Sequence, residues 1–458
     1  MVPPPTPRTD DLQPALGLRS ASTLVLGTVI GVGIFTSTGF QAAALPHPGW
    51  ILLLWIVGGV LAFCGALCYA ELGASLPEAG GEYVYLREAY GQTLAFASAI
   101  VSLVAGFSAP IAAVLKSFMR YATHFLPRLA DDPTLAGLPV NDLLAILLVW
   151  GLVAVHARGL RGGMGFHDIV TLLKVAAIVI LIVAAAAFGK GQIENIAHVA
   201  PSFHDMTATA RAGAFATSLV FVMFCYSGYN AAAYMASEVD RPQRNLPLAM
   251  VAGTGLVILL YLGLNLVYLY GADVEGLAGH VEVGLVAARQ LFGETGTTLV
   301  AAMLLVTLLS AASAMTVAGP RVYYAMGRDL PRLGFLARVS PRRKVPVSAL
   351  VLQGVVTTLI VLTGTVDQIQ QYVGIVLTLF ASLAVAAVWV LRRKRPDAPR
   401  PFRAWAYPLT PLLFLGVSGW MLIWNVRERP IESLLALATV AVAVALGARL
   451  RRPTQRAA

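Results

Sequence analysis

The chain has 458 residues and a formal net charge of +10, yet 58% of its residues are hydrophobic and only 12% are charged. A soluble protein this apolar could not cover its surface with polar groups, so the composition excludes a soluble domain and predicts an integral membrane protein. The distribution of the basic residues also argues against nucleic acid as the reason for the positive charge.

Twelve apolar stretches approach the length of about 20 residues that a membrane-spanning helix needs. The fourth stretch is short and begins with the polar pair Asn141 and Asp142. The first fourteen residues are polar and proline-rich, without the charged-then-apolar layout of a signal peptide, so we expect no cleavable signal. The predicted spans lie near 22–44, 50–73, 92–118, 141–157, 168–188, 212–236, 248–270, 297–325, 346–363, 370–391, 407–426 and 432–448.

The lysines and arginines predict the orientation of these spans. If the N-terminus is cytoplasmic and all twelve stretches cross, most of the 33 basic residues lie on the inner side, with clusters at 321–344, 392–403 and 449–456. This asymmetry follows the positive-inside rule and predicts that both termini are cytoplasmic in a cell inner (plasma) membrane. The expected partner of the excess charge is therefore the lipid bilayer, not nucleic acid.

Glycines interrupt the first span where a spanning helix should be most regular, at Gly27, Gly31, Gly33 and Gly39. Glycine weakens a helix interior, and an opened helix leaves N–H and C=O groups that lipid cannot satisfy. Such a break is tolerated where it lines a protein cavity, so we predict a binding site around Gly31. The alternative is that Gly27 and Gly31, four residues apart, form a helix-packing motif.

A second interruption, Ser227-Gly228, lies in the sixth span. Transporters built from inverted repeats carry broken helices at corresponding positions of the two halves. A five-helix repeat pairs the first span with the sixth, inverts the second half and leaves two extra helices, which matches the count of twelve. The predicted segments are an N-terminal tail (1–19), helices 1–5 (20–190), helices 6–10 (191–395), helices 11–12 (396–450) and a C-terminal tail (451–458).

Two broken helices that cross in antiparallel fashion offer both signs of partial charge, because N-terminal ends favour anions and C-terminal ends favour cations. This arrangement suits a zwitterion. We expect its carboxylate on the freed amides near Gly31 and Gly33, and its amine on the freed carbonyls near Ile30 and Phe224. We expect no acidic side chain near either break, which disfavours a cationic ligand.

A lysine inside a span costs about 2.5–3.5 kcal/mol on insertion scales, so Lys174 in the fifth span should be paired or face a polar cavity. It could release a proton in each cycle, or stay charged and hold helices together. Snorkelling to the inner interface is the third reading, but His167 at the inner end is roughly 10 Å away along a helix. Lys116 lies closer to the outer face, near Arg120, and there snorkelling is the better interpretation.

Other chemistry is sparse. Cys64, Cys68 and Cys225 all lie within predicted spans, so we expect no disulfide-linked heavy chain. The seven histidines form no metal-ligand pattern, and Gly31 and Gly33 lack a third glycine in dinucleotide-binding register, so neither a metal nor a cofactor is expected. Glu71 and Glu82, at the inner end of the second span and in the next loop, are interpreted as interfacial charges, with pairing in an inner gate as the alternative.

Four motifs in chain order resemble those of the amino acid–polyamine–organocation (APC) superfamily, most closely bacterial relatives of the L-type amino acid transporters. They lie in the first span, after the second, after the sixth and in the eighth. They are Ile30-Gly31-Val32-Gly33-Ile34-Phe35; Tyr69-Ala70-Glu71-Leu72-Gly73 with Pro77, Gly80-Gly81, Tyr83, Tyr85 and Gly91; Ala236, Glu238, Pro242 and Arg244-Asn245-Leu246-Pro247; and Gly319-Pro320-Arg321-Val322-Tyr323-Tyr324-Ala325-Met326.

The resemblance implies an all-α fold of the LeuT type, with a 5+5 inverted repeat, broken helices 1 and 6, and two extra C-terminal helices. It implies that an aromatic residue, matched by Phe224, closes over the substrate from outside. Val32 stands where the family often has serine, which leaves the carboxylate to main-chain groups alone. The substrate-binding residues predicted in this way are Val29, Ile30, Gly31, Val32, Gly33, Phe224, Cys225, Tyr226, Ser227, Gly228 and Asn230.

The resemblance also implies a role for the buried lysine. Sodium-coupled members hold a metal ion between helices 1 and 8, and several sodium-independent members place a helix-5 lysine there. By this analogy Lys174 replaces a sodium ion and donates to carbonyls near Gly27 and Ile30 and to Ser313 on helix 8.

The resemblance therefore implies sodium-independent amino acid transport by alternating access, by exchange or facilitated movement of neutral L-amino acids. The alternatives are proton-coupled symport through Lys174 and amino acid/amine antiport. A transporter-like sensor, which binds an amino acid without moving it, is a further class. An enzyme is not expected, since no nucleophile–base pair appears at a plausible spacing.

Overall fold

The computed structural model describes residues 15–340 and 342–450. For residues 160–164, 166 and 450 it describes the backbone alone. The helices, in chain order, are α1 Leu18–Val29, α2 Gly33–Ala44, α3 Pro48–Ser75, α4 Glu82–Tyr90, α5 Gln92–Val101, α6 Ala109–Ala122, α7 Val140–Ala157, α8 Leu160–Phe188, α9 Glu194–Ala197, α10 Pro201–His204, α11 Ala208–Tyr226, α12 Ala231–Tyr234, α13 Pro242–Gly271, α14 Val274–Leu277, α15 Val283–Asp329, α16 Val347–Val361, α17 Val366–Lys394, α18 Leu409–Glu428 and α19 Pro430–Leu450.

Short elements join these helices. A π-helical segment, Ser102–Ser108, connects α5 to α6, and 3₁₀ turns cover Pro127–Leu129, Ala236–Glu238 and Pro331–Ala337. Two short antiparallel strands, β1 Thr134–Leu135 and β2 Leu138–Pro139, form a hairpin before α7, in which Thr134 pairs with Pro139 and Leu135 with Leu138.

Within the described residues, eleven helical segments are long and apolar enough to cross a membrane. The ninth predicted span is the exception, because α16 has 15 residues and rises only about 22 Å, less than the roughly 30 Å hydrocarbon core. It begins after Pro346, and its last turn ends in a short loop before Thr365 caps α17. A mostly helical membrane architecture is confirmed, and the exact twelve-span LeuT arrangement stays a prediction.

Two spans differ in extent from the sequence-based ranges. The eighth, expected over 297–325, is part of α15, which runs from Val283 to Asp329 and kinks at Gly293, whose φ is +66°. The sixth, expected over 212–236, ends its regular helix at Tyr226 and resumes as the short α12. The short helices α9 and α10 lie between α8 and α11, and α14 lies between α13 and α15.

The core lies around the first, second and third spans and α15, whose most apolar segments are largely buried, whereas only a minority of the residues in the apolar segments of α7, α8, α18 and α19 are buried. The exposed faces carry large apolar side chains such as Leu147, Ile180, Ile423 and Leu434. Exposed apolar surface on this scale would drive aggregation in water, but it is the natural surface of a helix that faces lipid.

Candidate substrate site at two broken helices

The first span breaks between α1 and α2. Ile30 leaves the helical region with a ψ of 85°, and helical geometry resumes at Gly33. The Gly31 amide turns back to the Val29 carbonyl at 2.8 Å. The amides of Val32, Gly33 and Ile34 have no acceptor among the described residues. They form the unpaired, buried N-terminal end of α2, which favours a negatively charged group.

The break releases four carbonyls, because residues 27–30 lose the amides that would bond to them in a continuous helix. Lys174 Nζ donates to Gly27 O at 3.0 Å and to Ile30 O at 2.9 Å. Val29 O accepts from the Gly31 amide and from the Tyr261 hydroxyl. In the part of the chain that the structure describes, the Thr28 carbonyl is left without a donor.

The sixth span breaks after Tyr226. Ser227 has a ψ of 149°, and Gly228 has a φ of +100°, a conformation that side chains rarely adopt. The Ser227 amide and hydroxyl both donate to Phe224 O, at 3.1 and 2.6 Å. The chain becomes helical again at Ala231.

The two breaks cross in direct contact. A Cβ atom built on Gly33 would lie 2.4 Å from Cys225 Sγ, and one built on Gly228 would lie 2.7 Å from Thr28 Cγ2. The pairs Thr28–Gly228 and Gly33–Cys225 run in opposite chain directions, so the crossing is antiparallel, as the sequence predicted. Glycine is needed at both contacts because a side chain would push the breaks apart.

The expected place for a ligand amine needs a correction. The sequence analysis assigned it to the carbonyls near Ile30 and Phe224, but Ile30 O accepts from Lys174 and Phe224 O accepts twice from Ser227. A carbonyl has two acceptor positions, so Phe224 O has none to spare. Among the carbonyls without a donor in the described residues, that of Thr28 belongs to a residue that also lines the cavity described below.

Lys174 is 1% exposed, so its ammonium does not snorkel to the interface. It lies against the two carbonyls of α1 that the sequence analysis named. The expected third contact differs: the Ser313 hydroxyl lies 2.9 Å from His156 Nε2, because α7 packs its histidine against α15 at this level. Lys116, in contrast, contacts Asp142 Oδ1 at 2.6 Å at the outer end of α7.

The contacts of His167 and Asp168, in the N-terminal half of α8, were missed by the sequence analysis. Asp168 accepts hydrogen bonds from the hydroxyls of Ser20, at 2.7 Å, and of Thr23. His167 Nε2 lies 3.2 Å from Thr23 O and 3.4 Å from the Thr171 hydroxyl. These contacts fix α8 on α1 one to two turns from Lys174. Their only signal in sequence was a pair of titratable residues at the start of an apolar span.

Tyr261 of α13 was also missed. Its hydroxyl lies 2.7 Å from Val29 O and 3.2 Å from Cys225 O, one carbonyl from each broken helix. The hydroxyl has one proton and can donate to only one of them at a time. A tyrosine inside an apolar span is a weak signal, because packing explains most such residues.

A cavity of about 60 Å³ adjoins the crossing. It brings together Ser227, Gly228 and Asn230 of the second break with Thr28 of the first. Several further residues line it: Glu82, Gly106, Phe107, Pro110, Tyr229, Tyr234, Met315, Leu377 and Ala381. Gly106 and Phe107 come from the π-helical segment, a distortion common at functional sites.

Some predicted site residues point elsewhere. Cys225 packs its sulfur against Gly33 and the Ser37 hydroxyl, which is 3.2 Å away. The Tyr226 hydroxyl donates to Trp55 O at 3.3 Å. Phe224 is buried. Substrate contact by these three side chains remains a prediction.

The expectation that no acidic side chain lies near the breaks is wrong. Glu82, at the start of α4, lines the cavity and is 5% exposed. The Tyr69 hydroxyl and Asn230 Nδ2, the latter at 3.0 Å, donate to its Oε1 atom. Glu71 is buried and pairs with Arg392 at 2.6 Å, which fits both a structural charge and the inner-gate alternative. Loop folding, which the sequence pattern does not encode, carries Glu82 inward.

One surface group resembles a metal site. His198, Asp273 and Glu275 bring ligand atoms within 4.8 Å of one another. His198 Nε2 pairs with Glu275 Oε2 at 3.1 Å, and Asp273 Oδ1 accepts from the Gly276 amide as the cap of α14. These contacts account for the cluster without an ion.

A helical membrane protein with two interrupted, crossing helices beside a small cavity has the construction of a solute transporter. A family model described as an amino acid permease matches residues 16–446. The chain therefore belongs to the amino acid permease family, within the APC group that its motifs resemble, and it is a transporter and not an enzyme.

Curated relatives have the same character. The chain is 28% identical to the b(0,+)-type amino acid transporter 1 of Mus musculus over 426 residues, which cover 92% of this chain and 85% of the relative. It is 26% identical to the large neutral amino acids transporter small subunit 2 of Homo sapiens over 436 residues, 94% of this chain and 79% of the relative.

Proposed function

We propose that this permease is a sodium-independent transporter of neutral L-amino acids that works by alternating access, through exchange or facilitated movement. One observation carries the substrate proposal: the break in the first span leaves complementary groups unpaired. The amides of Val32, Gly33 and Ile34 suit an α-carboxylate, and the Thr28 carbonyl suits an α-ammonium. A zwitterion satisfies both sets at once, whereas a simple anion or cation satisfies one.

Sodium independence is supported by Lys174. Its ammonium occupies the space between two carbonyls of α1 that a bound metal cation would otherwise neutralise. A sodium ion at the same place would meet a like charge within hydrogen-bond distance, which strongly disfavours its binding.

The test is uptake of labelled L-amino acids into proteoliposomes that contain the purified chain. Uptake is compared with and without internal unlabelled amino acid, in sodium and in choline buffers, and with and without an inward proton gradient. Exchange predicts uptake that needs internal amino acid and ignores both ions. A strict sodium requirement would refute the lysine-for-sodium argument.

Proton-coupled symport is the second candidate. It is favoured by the proximity of Lys174 to the hydrogen-bonded group of Thr171 and His167 on the same helix, which could pass a proton toward the inner end of α8. Accumulation driven by a proton gradient alone would support it. An amino acid/amine antiporter would need external amine for release, and a sensor would bind amino acid without flux.

For the surroundings of the protein, we infer an inner-membrane location with both termini cytoplasmic, on the basis of the basic clusters at 321–344, 392–403 and 449–456. All three cysteines, Cys64, Cys68 and Cys225, are buried. Their burial supports the expectation that no partner chain is attached by a disulfide bond.

A further inference from the structure

The cavity beside the second break has an unusual lining for a neutral ligand. Its charged member is Glu82, and none of the thirteen described residues that line it is a lysine, arginine or histidine. Three aromatic side chains surround the same space, those of Phe107, Tyr229 and Tyr234. A carboxylate with aromatic faces around it is the chemistry that recognises organic cations.

Glu82 is only partly satisfied by the protein. Its Oε1 atom accepts from Tyr69 and Asn230, but its Oε2 atom has no donor among the described residues. Within residues 15–340 and 342–450 Glu82 forms no ion pair, although Glu71 and Glu78 each pair with an arginine. A buried carboxylate without a cationic partner is costly, so a ligand that brings a positive charge would be bound with a large gain.

The position of Glu82 relative to the breaks sets the size of the ligand. Asn230 donates to Glu82 and follows Gly228 by two residues, so the carboxylate lies close to the second break. Thr28 lines the same cavity, whereas Val32, Gly33 and Ile34, which carry the unpaired amides, do not line it. A ligand that used both the amides and Glu82 would carry an α-amino acid head and a positive charge at the end of its side chain.

We propose that Glu82 forms a binding subsite for the ammonium or guanidinium end group of a basic amino acid. This inference rests on the proposed amino acid transport and extends its substrate range from neutral to basic L-amino acids. The side-chain cation would donate to the free Oε2 atom and lie against the face of Tyr234 or Phe107. Neutral amino acids would bind through the break alone and leave Glu82 as it is in this structure.

The experiment compares the wild-type chain with Glu82→Gln in proteoliposomes, with labelled L-lysine and L-alanine as substrates and unlabelled alanine inside. Glu78→Gln is the matched control, because Glu78 is an exposed carboxylate four residues earlier in the same loop, paired with Arg87. Loss of one charge-assisted hydrogen bond predicts that Glu82→Gln raises the apparent KM for lysine about 10-fold or more and that for alanine less than about 3-fold. The control should change neither.

Several outcomes would overturn the inference. If wild-type protein takes up alanine but lysine neither enters nor competes, the proposed transport stands and the subsite is refuted. Equal losses of both substrates in Glu82→Gln, with the protein still monodisperse, would make Glu82 a gate or structural group. Loss of a proton-driven component of alanine uptake, without any lysine effect, would make it a proton carrier.

A binding assay distinguishes failure of this inference from failure of the transport proposal. Labelled lysine is bound to the detergent-purified chain, with alanine and cadaverine as competitors. Binding that Glu82→Gln abolishes supports the subsite even if no flux is seen, which would refute transport alone. Competition by cadaverine as strong as that by lysine would assign the site to amines and overturn the basic amino acid as its ligand.

Discussion

Replacement of Lys174 by methionine tests the central electrostatic feature of the first break. Methionine keeps the length of the side chain and removes the charge. The variant loses two hydrogen bonds from a charged donor, to Gly27 O and Ile30 O, each worth about 1.5–3 kcal/mol. It also avoids the burial of an ammonium, which costs about 2.5–3.5 kcal/mol on insertion scales. The two effects leave a net destabilisation of roughly 0–3 kcal/mol.

We therefore expect Lys174→Met to fold, with a melting temperature in detergent lowered by no more than several degrees. Transport should suffer more than stability, because two orphaned carbonyls no longer hold the break open in its present geometry, and we expect uptake to fall at least 10-fold. Lys116→Met is the control. Its partly exposed ammonium pairs with Asp142, and loss of such a pair costs about 1 kcal/mol or less.

Fluorescence-detected size-exclusion chromatography after heating measures the stability, and proteoliposome exchange of L-alanine measures the transport. Wild-type uptake by Lys174→Met would refute the view that this cation organises the break. A second variant, Lys174→Ala, leaves room for an ion between the two carbonyls. If sodium stimulates L-alanine uptake by this variant, a cation is needed at that position.

Three further predictions follow from single contacts. Gly228→Ala should abolish uptake and lower the melting temperature, because Gly228 has a φ of +100° and a Cβ there would meet α1 at 2.7 Å. The control is Gly31→Ala, which should fold normally because its Cβ meets nothing nearer than 3.9 Å. Arg321→Met should cost about 3–5 kcal/mol by leaving Glu238 buried and unpaired, and a second change, Glu238→Leu, should restore much of the stability lost in thermal unfolding. Burial raises the pKa of Glu82 to about 7, so lysine uptake should rise from pH 6 to pH 8 as the carboxyl ionises. The Glu82→Gln variant should lack this rise. A flat pH profile of the wild-type protein would contradict the prediction.

The interrupted helices were accessible to sequence analysis because they violate a strong local rule. A spanning helix should avoid glycine clusters, and Gly31 and Gly228 mark the breaks that the structure shows. The same holds for Lys174, since a charge in an apolar span must find partners, and freed carbonyls of the first break were the nearest ones. Local exceptions to the membrane rules therefore predicted where the two helices break and which carbonyls the buried lysine contacts.

The composition of the cavity was not accessible in the same way. Glu82 looked like one more charge in an inner loop, and only the packing of α4 against the second break carries it into the cavity. Ser313 was expected to contact Lys174, but its hydroxyl lies 2.9 Å from His156 Nε2 of α7. Both errors concern residues from elements distant in sequence, whose relative placement depends on helix packing and not on local pattern.

The geometry of Lys174 also bears on whether it carries a proton. If the ammonium lost its proton in each cycle, it would keep at most two hydrogens to share and would give up the charge that strengthens both contacts, to Gly27 O and Ile30 O. The two remaining hydrogens are enough for the two carbonyls, so proton release costs only the difference between a charged and a neutral hydrogen bond, roughly 1–1.5 kcal/mol at each contact, and weakens the link between α1 and α8. Exchange without protons keeps this link at full strength throughout the cycle. Distance measurements between labels on α1 and α8, with and without a proton gradient, test this: symport through Lys174 predicts a broader α1–α8 distance distribution when the gradient is applied, and a fixed cation predicts no change.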